Sequence, residues 1–339
     1  MKFIKTVIDT NENVYSTCIG MHKESNVYVG CSEGKGPAHA FINGKRTTIW
    51  EQPGGTMSFI PVPNKDDTYI ATQKFLPVFL AEKCSINLVT YIDGSWNTKE
   101  IMPFPYLHRF ELFRLNNENY FFGATLCKNK DFQQDWSQPG SIYVGKLSED
   151  LSHPFEVREI YSGITKNHGL WKALNVGKNG SFLVGGEEGG FKFSIPENPI
   201  TDTWKIEKII ENGVSDLALC DIDNDGELEL ATIEAFHGNI CRIYKKTNNK
   251  YKCVHEIEID FGHVIWGGKL GASDHFILGY RGGDMKLLCI NYIDDKFSTT
   301  LIDEATGPSQ ISVKTVENKS IILAANRQIN QLAIYEATE

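Results

Sequence analysis

Residues 214–259 contain VSDLALCDID (214–223), LELATIEA (228–235), ICRIYKK (240–246) and YKCVHEIEI (251–259). These are four strand-like runs, rich in β-branched and aromatic residues and parted by Gly, Asn and Asp. No 3.6-residue apolar period is sustained within them. The grouping repeats on both sides. Downstream come HVIWGGKLG (263–271), DHFILGYRG (274–282), MKLLCINY (285–292) and FSTTLID (297–303). Upstream come HGLWKALNVG (168–177), SFLVGGEE (181–188), FKFSIP (191–196) and WKIEKIIE (204–211). Three earlier groups open near Tyr15, Thr56 and His108.

The last group, opening at Ser309, has only three runs: SQISVKTV, SIILAAN and QLAIYE. The missing fourth lies at the other end of the chain. MKFIKTVID (1–9) has the pattern of the outer runs WKIEKIIE and YKCVHEIEI. First runs therefore begin near 15, 56, 108, 168, 214, 263 and 309, at intervals of 41 to 60 residues, which suit four-stranded propeller blades. The expectation is an all-β fold in one domain, 1–339: a seven-bladed β-propeller whose ring is closed by the N-terminal strand joining the last blade. A β-sandwich would not need the N-terminus to make the fourfold count come out even.

Composition agrees with an ordinary globular protein, at 41% hydrophobic and 23% charged residues. The formal net charge is −9, and Lys and Arg are scattered without a basic block, which argues against nucleic acid and anionic membrane partners. No signal-peptide pattern opens the chain and no apolar run approaches membrane-spanning length. Eight cysteines lie far apart with no CxxC pair. They read as reduced, buried thiols rather than a disulfide framework, and a cytoplasmic location is expected.

The sharpest motif is Asp221-Ile-Asp223-Asn-Asp225-Gly226-Glu227-Leu-Glu229. Carboxylates at i, i+2 and i+4 can curl around a hard cation, Gly226 permits the sharp turn, and Glu229 can close the shell. The alternative is a solvated acidic turn. The loop resembles those of the FG-GAP or VCBS repeat family, whose blades carry DxDxDGxxD, with Glu229 standing where that family usually has Asp. The resemblance implies structural Ca²⁺ held by Asp221, Asp223, Asp225 and Glu229, between the first and second strands of blade 5.

Three first strands begin with histidine, at His108, His168 and His263, with Gln310 near the same register in blade 7 and Asp216 in blade 5. In a propeller these positions converge on the axis. Neutral imidazoles gathered there, with Gln310 as a further ligand, suit Zn²⁺ or Mn²⁺ with open positions; alternatively, each histidine bonds a local carbonyl. Blades 4 and 6 share HxxW, and Trp171 and Trp266 read as blade-packing residues facing away from the histidines.

The turns between second and third strands share that face. They offer His39, Lys74, Glu187, His237, Arg281 and Arg327, and the long blade 3 turn adds Trp136. Together with Arg109, these suit a small polar or anionic ligand. The architecture is similar to propeller-type sugar lyases and dehydratases, including oligogalacturonate lyase-like enzymes and the propeller of aldos-2-ulose dehydratase. That resemblance implies a metal-assisted carbon–oxygen lyase acting by β-elimination on a small carbohydrate, a uronate or keto-sugar. His237 would be the base, Lys74 and Arg281 would hold charge, and His39, Arg109, Trp136, Glu187 and Arg327 would line the substrate. The other reading is a non-catalytic FG-GAP-type propeller that binds a glycan or a protein.

Overall fold

The structure is a computed structural model and describes residues 1–248 and 250–338. Seven four-stranded antiparallel sheets form a ring. First strands are Val14–His22, Phe59–Pro61, Leu107–Leu115, Leu170–Ala173, Asp216–Cys220, Gly262–Leu270 and Pro308–Val316, each within three residues of the start expected from the repeat. Among the described residues, helix is limited to one 3₁₀ turn, Arg327–Ile329. The seventh sheet adds Lys319–Asn326, Gln331–Thr338 and finally Lys2–Thr10. Lys2 pairs with Thr338 and Thr10 with Gln331, so the N-terminal strand closes the ring.

Strand composition follows position within a blade. The second strands Ser181–Gly186 and Glu229–Glu234 are buried at every residue. Each lies between two neighbouring blades, so both faces are covered. The outer strand Lys250–Glu258 alternates exposed and half-buried residues throughout, the period of two expected when one face meets water.

Hairpin register is set by two-residue turns at Asn43-Gly44, Asp93-Gly94, Asn116-Asn117, Asp294-Asp295 and Glu317-Asn318. Both central residues have positive φ in each. This conformation matches the twist of the flanking strands, and Asn, Asp and Gly tolerate it best.

Adjacent blades are joined by apolar seams. Between blades 3 and 4, Phe122 stacks on Phe182 at 4.1 Å and 10°, enclosed by Phe193 and Trp204. Each such phenylalanine contributes roughly 1.5–3 kcal/mol by burial. All eight cysteines are free thiols, seven of them buried. Among the described residues, no helix is long and apolar enough to cross a membrane.

Candidate functional site at the propeller axis

Four first strands share one irregularity. The ladder slips by a residue between Val14 and Ser16, Leu107 and Arg109, Gly262 and Val264, and Pro308 and Gln310. The extra residues are Tyr15, His108, His263 and Ser309. Such bulges re-aim a side chain, and here they bring residues of separate blades together. The Tyr15 and His263 rings meet edge to face at 5.6 Å. His168 stands two residues before its regular strand, Leu170–Ala173. Gly169 beside it passes so close to blade 5 that a Cβ there would lie 2.7 Å from the Asp216 Cα.

His168, His237 and His263 each offer a ring nitrogen, and these atoms all lie within 4.8 Å of one another. The ring centroids are 4.7 Å apart for His168 and His263, 5.0 Å for His168 and His237, and 5.1 Å for His237 and His263. His237 comes from the blade 5 turn, where its backbone N–H donates to Ser215 Oγ at 3.2 Å. His108 lies 5.1 Å from His168 on the ring's other side, outside the closest trio. Four of the expected histidines thus gather at the axis, with His237, foreseen as a base, in the closest set instead of His108.

Tautomer and charge follow from the surroundings. His263 Nδ1 lies 2.7 Å from the Ser309 carbonyl. A carbonyl only accepts, so Nδ1 carries the hydrogen and Nε2 keeps its lone pair. His168 Nε2 meets the Tyr15 hydroxyl at 3.4 Å. His168 Nδ1, His237 Nε2 and His108 Nδ1 are buried without a hydrogen-bond partner among the described residues. Burial holds His108, His168 and His263 well below the ordinary imidazole range. Burial, then Arg281 and Arg109, lowers His237 to about 4. The cluster is neutral at pH 7 and rich in unshared lone pairs.

Arg109 braces this layer. Its Nε donates to the His168 carbonyl at 3.0 Å and Nη1 to the Met57 carbonyl at 3.1 Å, tying blade 3 to blades 4 and 2. An arginine foreseen as a substrate contact is thus largely committed to backbone. Gln310 sits one residue past the bulge and accepts from the Thr17 N–H at 2.8 Å. It lines the channel rather than joining the histidines.

The turn residues divide. Arg281 lies against the Phe261 face at 5.3 Å and donates to Gln328 through Nε and Nη2. Trp136 packs against Phe79 and Phe236, with Lys130 Nζ 3.1 Å above its ring. Phe236 in turn contacts His168 and His237. Glu187 pairs with Lys166, and Arg327 with Glu33. Lys74 pairs with Glu100 of the blade 2 outer strand. His39 lies not in a turn but in the third strand of blade 1, Ala38–Ile42, buried against Asp9 and Arg46 of the outer strands of blades 7 and 1. The structure therefore does not bring Lys74 and His39 to the histidines.

Beyond the histidine layer, the axial channel widens into a cavity of about 430 Å³ lined by first strands of all seven blades, with His168, Arg109 and Asp216 in its wall. Trp171 and Trp266 also line it, their rings 6.5 Å apart. They are wall as well as packing: Trp266 follows the bulge at His263, whereas Trp171 lies in a regular ladder. Asp216 accepts from the Ile265 and Leu217 N–H groups, and burial raises its carboxyl to about 7. Sequence reasoning did not single out Tyr15, Phe236 or Phe261. The repeat register did carry a signal for Tyr15, which shares its position with His108 and His263.

No protein-family model matches the chain, and no curated protein matches it in sequence. Solved structures do match in shape. A candidate 6-phosphogluconolactonase from Bacteroides fragilis superposes with a TM-score of 0.61 at 13% identity, over 96% of this chain and 91% of that one. A second, from Bacteroides uniformis, gives 0.57 at 11% identity, over 97% and 93%. Sqt1 of Saccharomyces cerevisiae gives 0.58 at 10% identity, over 100% and 99%. The likeness is one of fold. It corrects one expectation: the enzyme named among these propellers is a lactonase, a hydrolase, and the carbon–oxygen lyase assignment is withdrawn.

Proposed function

We propose that the chain is a metal-assisted hydrolase of a small sugar-derived ester or lactone, acting at the histidine face of the ring. The observation that carries this is the trio His168, His237 and His263: three neutral imidazoles with converging, largely unpartnered nitrogens. A nitrogen-only set of this kind suits zinc or manganese. His168, His237 and His263 would hold such an ion, their ring nitrogens already within 4.8 Å of one another. Such an ion would supply Lewis acidity and a nucleophile from water at neutral pH.

The chain's own residues do the rest. The Ser309 carbonyl fixes the His263 ring and its tautomer, the outer-sphere role that makes a histidine a better ligand. Phe236 and Phe261 pack on His237 and Trp136 on Phe236, an aromatic edge beside the histidines on which a sugar ring could stack. Arg281 Nη1, free of protein acceptors among the described residues, is placed to hold a carboxylate or phosphate. Names borne by the similar propellers add carbohydrate lactones to this chemistry as a substrate class.

The test is elemental analysis beside a pH-stat assay of acid release from six-carbon sugar lactones. About one zinc or manganese per chain is expected, lost together with activity in His168→Ala/His263→Ala. A chain without transition metal, inert toward lactones, would overturn the reading. A non-catalytic FG-GAP-type propeller binding a glycan or a protein would then lead, supported by the blade 5 acidic loop.

A further inference from the structure

The acidic loop 221–228 joins the first two strands of blade 5. Its backbone is curled by its own carboxylates. Asp221 accepts from the Asp225 and Gly226 N–H groups at 3.0 and 3.1 Å, and Glu229 Oε2 accepts from the Ile222 N–H at 3.1 Å. Asp221, Asp223 and Asp225 bring one oxygen each within 4.8 Å of one another. A separate feature points into the same space. Glu229 is only 1% exposed, and its Oε1 has no hydrogen-bond partner among the described residues; nor has Asp223 Oδ1.

A cation already stands there. Lys245, from the third strand of the blade, places its ammonium against Asp223, 3.0 Å from Asp225 and 3.9 Å from Glu229 Oε1. One ammonium faces three carboxylates, with Asp221 a fourth in the same loop. It donates along three N–H directions, whereas the unshared oxygens converge from several sides, a geometry for an ion with six to eight oxygen ligands. The lysine side chain is 32% exposed and reaches in on a flexible stem, so it can withdraw without rebuilding the strand.

We propose that Lys245 is a resident place-holder in a hard divalent cation site, and that calcium enters the blade 5 loop in exchange for its ammonium. The loop is thus neutralised in part without metal, and calcium must compete with a covalently attached cation. Affinity is set by this competition as well as by the carboxylates. The exchange is independent of the histidine trio, since no nitrogen or sulfur ligand is present among these side chains.

The experiment is calcium titration by calorimetry of the chelator-treated full chain, its Lys245→Met variant, which keeps an apolar stem, and Glu229→Gln. Lys245→Met should bind one calcium about tenfold or more tighter than the parent. Glu229→Gln should lose most binding. Equal affinity of parent and Lys245→Met, or no binding by either at millimolar calcium, overturns the proposal. A second measurement uses the unmodified chain, so misfolding of a variant cannot mask the answer. Lysine acylation followed by mass spectrometry should show Lys245 protected without calcium and reactive with it. Unchanged reactivity on adding calcium sinks the exchange.

Discussion

His108, His168 and His263 have burial against their protonation, and His237 is lowered to about 4. An unfolded chain takes up these protons near the ordinary value of 6.5, so it binds more of them than the folded chain. Stability is complete above pH 6.5 and is lost as pH falls from there toward 4, by at most about 1.4 kcal/mol per histidine per pH unit. In chelated protein the melting temperature should fall across that window, and His108→Gln should flatten the fall; parallel profiles would rule His108 out as a contributor. Arg109 and Lys74 make the contrast between buried and exposed cations. Arg109→Met strands the His168 and Met57 carbonyls, at a cost of about 2–4 kcal/mol in denaturant titration. Lys74→Met removes a pair with both side chains over 40% exposed and should cost under about 1 kcal/mol. Strand starts were legible in sequence, which is why His108, His168 and His263 could be foreseen together. The fate of the second-to-third-strand connections was not: nothing local tells that His237 bends inward while Lys74 pairs with the outer strand of its own blade and His39 lies inside the third strand.

At the scale of elements, the blades were readable because each hairpin carries its own punctuation and each outer strand its own alternation. Asn43-Gly44 illustrates the first. Gly44 has φ +73° with nothing within 4 Å of where a Cβ would be, so its demand for glycine is conformational and not steric. Gly44→Ala should lower stability by about 1 kcal/mol through backbone strain alone, read as a shift in melting temperature with no change in metal content. The bulges were not readable. A bulge adds one residue without a sequence mark of its own, yet it moves Tyr15, His108, His263 and Ser309 to the axis and precedes Trp266 on the channel wall. For Trp266 the alternation count was sound for a regular strand and failed by the extra residue; the ladder of Leu170–Ala173, which carries Trp171, has no such slip.

For the whole molecule, ring closure rests on Lys2–Thr10 lying beside Gln331–Thr338. Removing residues 2–10 exposes the long edge of Gln331–Thr338, whose unpaired N–H and C=O groups invite another chain. The truncated protein should melt earlier and elute as larger species in size-exclusion chromatography; a monomer of unchanged stability would show the seventh blade to be complete with three strands. The ring also explains why the axis can hold buried, unpaired nitrogens. Seven apolar seams, such as Phe122 on Phe182, hold the blades in place independently of what the axis contributes.

Closure by a strand made well before its partner has a consequence for synthesis. Residues 2–10 emerge from the ribosome before their partner, Gln331–Thr338, has been translated. At roughly 5–20 residues per second this segment waits tens of seconds without its final neighbour. Its composition suits the wait: Lys2 and Lys5 flank the apolar positions, and most of the strand stays solvent-facing even in the finished ring. This pairing thus waits until residues 331–338 have been made, with a strand whose exposed face is already suited to water.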